Sequence, residues 1–166
     1  MKAISLWQPW ASLIAVGSKH WETRSWPTRY RGPIAIHAAR HWDEECSCAL
    51  SLYSVQVELL RTVGPSLPIR KCDLPFGAIV AVAVLTGCVP TESLRFQIVP
   101  DRSFGNFAPG RFAWRIERVE RLLRPADCTG HQGLWHLATY GMRGVTFEQF
   151  IEEQRAAGLL KKVGWE

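Results

Sequence analysis

A near-continuous apolar run from Gly77 to Cys88 constrains the fold of this chain most strongly. It reads GAIVAVAVLTGC and is rich in valine. An apolar run of this length, bounded by glycine and proline-rich sequence, is typical of a strand buried on both faces. The run is too short to cross a membrane as a helix, and no stretch of about 20 apolar residues occurs elsewhere. We therefore expect a soluble, cytoplasmic protein whose core is built around this strand.

Shorter patterns on either side predict a mixture of strands and helices. The predicted strands are Ala3–Leu6, Lys19–Arg24, Pro33–His37, Phe112–Leu123 and Leu134–Leu137, and the predicted helices are Pro9–Val16, Trp42–Val63 and Thr146–Leu160. Short connections between most of these elements favour an α+β fold, a small β-barrel surrounded by helices. The 166 residues suit one domain, 1–166, with a C-terminal helical extension at about 141–166.

Positive charge and tryptophan are concentrated near the amino-terminus. The chain has 20 Lys and Arg against 15 Asp and Glu, and residues 17–40 carry five cations with Glu22 as their one acid. Most of the cations are arginines, whose guanidinium groups bind phosphate through paired donors and stack on bases. The pattern favours a polyanionic ligand, with ordinary solvated arginines as the alternative.

The cysteines indicate neither disulfides nor a standard metal site. There are five of them, an odd number, and no C-x-x-C pair occurs. One spacing, H-x3-H-x4-C-x-C, could ligate zinc, and its residues are His37, His41, Cys46 and Cys48. No known short signature supports that alternative, so we predict no metal and no cofactor.

Three strings near the amino-terminus carry a family resemblance. They are QPWASLI from Gln8 to Ile14, G-x-K-x-x-E-x-R-S-W-x-T from Gly17 to Thr28, and the pair Arg31-Gly32. Together they resemble the ASCH (activating-signal-cointegrator homology) domain family, and the likeness extends over roughly residues 2–137. The resemblance implies a PUA-like fold and a cleft that binds RNA, another nucleic acid or a modified nucleoside.

The family also includes enzymes, so the resemblance leaves more than one activity open. One branch hydrolyses the acetyl amide of N4-acetylcytidine with a Lys and a Thr of a G-x-K-x-x-T-x-R variant; other members are described as ribonucleases or duplex-DNA binders. Lys19 is retained here, but Glu22 stands where that branch has its Thr. The expected function is nucleic-acid binding; the alternatives are a metal-independent hydrolase in the same cleft and a protein-interaction module.

Glu22 and Arg24 are two residues apart on a predicted strand, so their side chains share one face. If Lys19 pairs with Glu22, its ammonium is a clamp for phosphate or carbonyl; if Glu22 is a base, Lys19 stabilises a developing oxyanion. The candidate catalytic residues are Lys19, Glu22 and, more weakly, His37, which could equally be a hydrogen-bonded structural residue. Glu22 and Arg24 could likewise form an ion pair that only stabilises the fold.

Aromatic and basic side chains around this strand are the candidate ligand contacts. The predicted nucleic-acid contacts are Lys19, Arg24, Trp26, Thr28, Arg29, Arg31 and Arg111. Trp21, Trp114 and Trp135 lie in strand-like sequence and are predicted core residues, whereas Trp7, Trp10 and Trp26 lie beside turns where a ring could stack on a base. Phe104 and Phe107 are predicted either to cover the cleft or to anchor a loop.

Overall fold

The computed structural model describes residues 1–63, 67–97, 99, 101–137, 139–140 and 145–163. Its strands are β1 (Lys2–Leu6), β2 (Trp21–Arg24), β3 (Gly32–Ala38), β4 (Ala78–Pro90), β5 (Phe112–Asp127), β6 (Leu134–His136), β7 (Thr139–Tyr140), β8 (Val145–Thr146) and β9 (Leu160–Val163). Its α-helices are α1 (Trp10–Ala15), α2 (Glu44–Ser51), α3 (Tyr53–Val63) and α4 (Phe147–Ala156). Single turns of 3-10 helix occupy Lys71–Asp73, Thr91–Leu94 and Arg102–Phe104.

The main sheet is mixed and contains seven strands in the order β2-β5-β4-β3-β1-β6, with β9 also paired to β5. β1 and β3 are parallel, and each of the other neighbouring pairs in this sheet is antiparallel. Parallel strands need a crossover connection; here α1, β2 and the following loop supply it. The predicted α+β class is therefore confirmed, with the sheet curled into a half-barrel.

The Gly77–Cys88 run forms most of β4, which lies between β3 and β5 and contributes to the core on both sides of the sheet. On one side Ala81 and Leu85 pack with Ile14 of α1 and with Trp114. On the other side Ile79 and Val82 pack with residues of α4. Burial of both faces is the reason that the run lacks polar alternation.

The long helix predicted over Trp42–Val63 is in fact two helices, α2 and α3, separated at Leu52. Leu52 is extended (φ −66°, ψ 128°), so the helical hydrogen-bond ladder ends there. The buried amide of Gln56 donates to the carbonyls of Leu50 and Ile69 and accepts from the N–H of Ile69. The Gln56 side chain thus satisfies the Leu50 carbonyl, which a continuous helix would have paired internally, and joins it to Ile69.

The carboxyl-terminal prediction needs a similar correction. Thr146 caps α4 in a capping box with Gln149, as its position predicted. The helix ends at Ala156 instead of Leu160, because Gly158 adopts a left-handed conformation (φ 70°) and turns the chain back. Leu160–Val163 then pairs with β5. Residues 141–144 and 164–166 of the predicted extension lie outside the described residues.

Among the described residues, no helix is long and apolar enough to cross a membrane. Within the same part of the chain, no group of three or more His, Cys, Asp or Glu side chains is placed to hold a metal ion. The His and Cys residues of the zinc alternative are therefore not assembled into a site. All five cysteines have free thiols.

Candidate functional site

A cleft of about 550 Å³ lies beside β2 and the carboxyl end of β1. Its walls come from the segments before and after α1, from β2 with the residues that follow it, and from the loop around residues 103–106, and Glu45 of α2 adds a second carboxylate to the lining. Five of the predicted site residues line it: Lys19, Glu22, Arg24, Trp26 and Arg111. Ligand pockets in proteins commonly measure about 300–1,000 Å³, so this cleft has room for a nucleobase with its sugar.

Lys19 enters the cleft because of the turn that follows α1. Gly17 has φ 78°, a conformation that glycine adopts without strain, and the carbonyl of Leu13 accepts from the N–H groups of Ser18 and Lys19. The Lys19 side chain is only 1% exposed. Its ammonium donates to the carbonyl of Trp21 and lies 3.4 Å from a carboxylate oxygen of Glu22. Lys19 therefore forms part of the floor of the cleft.

Glu22 lies between two cations. Its other carboxylate oxygen is 3.1 Å from Nε of Arg24, close enough for an ion pair but not aligned as a hydrogen bond. Arg24 also donates from Nη2 to the carbonyl of Ser5 at 2.9 Å. The chain of contacts Lys19, Glu22, Arg24, Ser5 thus ties β2 to β1 and presents an acceptor and a donor side by side. Two cations with one carboxylate leave this floor with a net positive charge.

The opposite wall is attached to β2 through Thr23 and Arg111. The hydroxyl of Thr23 accepts from the N–H of Asn106 at 3.1 Å. Arg111 donates from Nη2 to the Thr23 carbonyl at 3.3 Å and from Nε to the Asn106 carbonyl at 3.1 Å. The Arg111 guanidinium is therefore engaged in holding the wall, although it borders the cleft as predicted.

Gly105 brings this wall onto Lys19. A Cβ added at Gly105 would lie 3.3 Å from Nζ of Lys19 and 3.1 Å from the Phe107 ring. Neither Gly105 nor Asn106 was singled out as a site residue from the sequence. The turn-prone composition of residues 104–110 indicated a loop there, but only the fold brings that loop against β2.

The aromatic residues differ in how much of each ring is available to a ligand. Trp7 is 42% exposed at the rim and packs on His41, with ring centroids 4.0 Å apart. Trp26 lines the cleft and packs edge-on against the buried Trp114 at 4.6 Å. Trp10 is half-buried against the cluster around α3. Trp7 is thus the best placed of the three for stacking.

Of the predicted core tryptophans, Trp114 is fully buried, whereas Trp21 and Trp135 are half-buried at the edges of core clusters. Phe104 is buried and Phe107 is half-buried with the guanidinium of Arg102 5.0 Å from its ring. Of the two alternatives for these phenylalanines, the structure favours anchors for the loop.

The structure keeps four other predicted residues outside the cleft. Thr28, Arg29 and Arg31 lie in the loop between β2 and β3, and Arg31 donates to the carbonyls of Thr28 and Tyr30. His37 is buried in β3: Nδ1 lies 3.1 Å from the Ser5 hydroxyl, and Nε2 is 3.0 Å from the Cys128 carbonyl, to which it donates. Burial lowers the pKa of His37, and the nearby Arg40 and His131 act in the same direction. His37 therefore contacts a second, smaller pocket and not the Lys19 cleft.

The family model of the ASCH domain matches residues 4–104, which include most of β1, all of α1 and β2, and the signature residues of the cleft. The chain belongs to the ASCH domain family. ASCH domains are associated with RNA binding. Membership agrees with the α+β, PUA-like fold predicted from the sequence.

Curated ASCH relatives include activating signal cointegrator 1 of Homo sapiens and of Mus musculus. Each is 29% identical over 136 residues, which is 81% of this chain and 22% of the relative. The chain thus spans about a fifth of the length of these relatives. Among solved structures, an ASCH protein from Zymomonas mobilis is 17% identical with a TM-score of 0.47, covering 98% of this chain and 96% of that one. A tyrosine-to-phenylalanine variant of the same protein gives the same identity and TM-score, covering 96% and 98%.

Proposed function

We propose that this ASCH domain binds single-stranded RNA or a modified nucleotide, with one base inserted into the cleft floored by Lys19, Glu22 and Arg24. The observation that carries the proposal is the polar floor itself, a carboxylate held between two cations in a cleft of nucleoside size. Single-stranded nucleic acid exposes base edges and base faces that a duplex conceals. The cleft offers a partner for each.

The floor provides hydrogen-bonding groups that a base edge can meet. A carboxylate accepts from exocyclic amino groups, and a guanidinium donates to ring or carbonyl acceptors. Glu22 already contacts both Lys19 and Arg24, so little side-chain entropy is lost when Glu22 and Arg24 bind a ligand. Such preorganisation gives specificity for a particular arrangement of donors and acceptors.

The buried position of Lys19 favours binding over nucleophilic catalysis by this residue. Its ammonium already has two acceptors, and Gly105 lies directly against it. Lys19 therefore positions Glu22 and contributes positive charge beneath the ligand. Hydrolysis with Glu22 as the base is the second candidate function, because the carboxylate and the ammonium are 3.4 Å apart in the same cleft.

The test is fluorescence anisotropy of a short labelled single-stranded RNA titrated with the full chain at several salt concentrations. Wild-type affinity is expected to fall steeply with salt, since bound phosphates release counterions. Trp7→Ala should weaken binding about tenfold, because base–aromatic stacking contributes about 1–3 kcal/mol per base. Tyr53→Ala, which removes an exposed aromatic ring from α3 outside the cleft, is the matched control and should bind as wild type does.

Salt-insensitive or absent binding to single-stranded RNA, duplex DNA and modified nucleosides alike would refute the proposal. The length of the RNA is checked in the same samples. Strand cleavage that is lost in a folded Glu22→Gln variant would establish the hydrolase instead. Binding without cleavage supports the binding function.

A further inference from the structure

A second pocket of about 290 Å³ lies on the other side of Ser5 from the Lys19 cleft. Its floor is formed by the buried His37 with Ser5, and its rim by Arg40 and by residues 128–132. The pocket is about half the volume of the cleft and has space for a small group rather than a second nucleoside. Nothing in the family signature points to it.

Several side chains around this pocket can donate hydrogen bonds, and Arg40 carries a positive charge. Arg40, Thr129, His131 and Gln132 are exposed at its rim, and no Asp or Glu is among the described residues that line it. Within the described part of the chain, none of these four side chains makes a hydrogen bond or an ion pair. A guanidinium with no counter-charge beside it, surrounded by further donors, is suited to an anion.

Gly77 allows the Arg40 side chain to approach the backbone closely. A Cβ at Gly77 would lie 2.5 Å from Nε of Arg40 and 3.1 Å from its Cγ, so any other residue would displace the side chain. Gly77 also has φ 64°, a conformation that other residues adopt only with strain. The Arg40 side chain therefore lies against Gly77 at the edge of the pocket.

The polar side chains of the pocket floor already have partners within the protein, which leaves the rim to meet a ligand. His37 donates from Nε2 to the Cys128 carbonyl, and its Nδ1 lies beside the hydroxyl of Ser5. That hydroxyl accepts from the Trp135 indole at 3.2 Å, and its one proton is shared between Nδ1 of His37 and the His131 carbonyl, which is 2.9 Å away. An anion entering here would meet Arg40 first.

Two contacts connect the pocket directly to the cleft. Ser5 lines both, and its carbonyl accepts from Arg24 on the cleft side. His41, which follows Arg40 in the chain, packs on the ring of Trp7 at the cleft rim. The two cavities therefore adjoin at Ser5.

We propose that this second pocket is a phosphate subsite, in which Arg40 binds a backbone phosphodiester of the same strand whose base occupies the Lys19 cleft. The inference rests on the proposed function, because it requires a bound strand with one base in the Lys19 cleft. A nucleoside without phosphate would use the cleft alone, whereas an oligonucleotide would occupy both cavities.

The test compares Arg40→Gln, which keeps an aliphatic stem over Gly77, with wild type in the anisotropy assay. Loss of one phosphate contact should weaken binding of the single-stranded RNA roughly tenfold and reduce the slope of log affinity against log salt by about 0.7. Arg40→Lys should keep the slope. Binding of the free nucleoside, followed by tryptophan fluorescence, should be unchanged in all three proteins.

Lys162→Ala is the control for a general loss of charge. It removes one cation from β9, which is separated from β1 by β5, β4 and β3. If wild type binds RNA but Arg40→Gln and Lys162→Ala have the same affinity and slope, the subsite is refuted while the proposed function stands. Inorganic phosphate is also added to wild type and to Arg40→Gln. If phosphate displaces RNA from neither protein but quenches the tryptophan fluorescence of wild type alone, the pocket is a free-anion site and the inference is wrong. If wild type binds neither RNA nor nucleoside, both proposals fail.

Discussion

The positions of Glu22, Arg24 and Lys19 show how far strand periodicity predicts the cleft. A period of two along the strand was enough to place Glu22 and Arg24 on one face, and both line the cleft in the structure. Lys19 precedes β2, so that period does not apply to it. The turn at Gly17 and the cover provided by Gly105 decide where its ammonium lies.

His37 illustrates a residue for which the sequence left two roles open, a weak catalytic candidate or a hydrogen-bonded structural histidine. It is the penultimate residue of β3 and makes two hydrogen bonds as a buried side chain. Its contacts come from residues 32 positions earlier and 91 positions later in the chain. No local pattern indicates partners at such separations.

We expect His37 to make the stability of the fold depend on pH. Burial lowers its pKa in the folded state below the usual 6.5, so the unfolded chain takes up a proton first as the pH falls. The stabilisation is present in full above about pH 6.5 and is lost as the pH falls through the folded-state pKa. Thermal unfolding of wild type should therefore shift to lower temperature on acidification in this range.

The comparison is His37→Gln, which keeps hydrogen-bonding capacity but cannot titrate. Its unfolding temperature should be lower than that of wild type near neutral pH and should change less with acidification. A wild-type profile parallel to that of His37→Gln across this range would contradict the assignment of a neutral, buried histidine.

At the level of elements, the break between α2 and α3 depends on one side chain. The sequence from Trp42 to Val63 has no Gly or Pro, and its acidic first turn is typical of a helix start, so a single helix was the natural prediction. Helix propensity is a weak preference that tertiary contacts override. Here Gln56 supplies those contacts to the end of α2 and to Ile69.

We expect Gln56→Leu to destabilise the protein by about 3 kcal/mol, because buried carbonyl and N–H groups would lose their partner at about 1–3 kcal/mol each. Denaturant unfolding measures this change. Gln97→Leu makes the same substitution at an exposed position and should change stability by less than about 0.5 kcal/mol. Equal effects in the two variants would show that the Gln56 contacts do not hold the break.

At the scale of the whole molecule, the cleft is assembled from segments that are distant in sequence. Asp101 is 2% exposed, and its Oδ2 accepts from the N–H groups of His20 and Trp21. This contact joins the start of β2 to the segment that becomes the opposite wall. Thr23 and Arg111 make the second attachment between the same two segments.

We expect Asp101→Ala to weaken both the fold and ligand binding. Two backbone donors lose their acceptor, which should lower the free energy of unfolding by about 3 kcal/mol. RNA affinity should fall in the same variant because the wall is no longer held against β2. Glu153→Ala, at an exposed position on α4, is the control and should retain both properties. If the destabilised Asp101→Ala variant binds RNA with wild-type affinity, the attachment of the wall to β2 does not contribute to binding.

The sequence by itself determined the family, the mixed fold class, the central β4 and the signature residues of the cleft. These follow from local patterns: an apolar run typical of a strand buried on both faces, side chains that alternate with a period of two along a strand, and the short family strings around Gly17. Only the tertiary structure decided that Lys19 is buried, that Arg111 supports a wall, that His37 faces a separate pocket, and that Leu160–Val163 is a strand. Each of these depends on contacts across the sheet or between distant loops, and no local pattern in the sequence indicates such contacts.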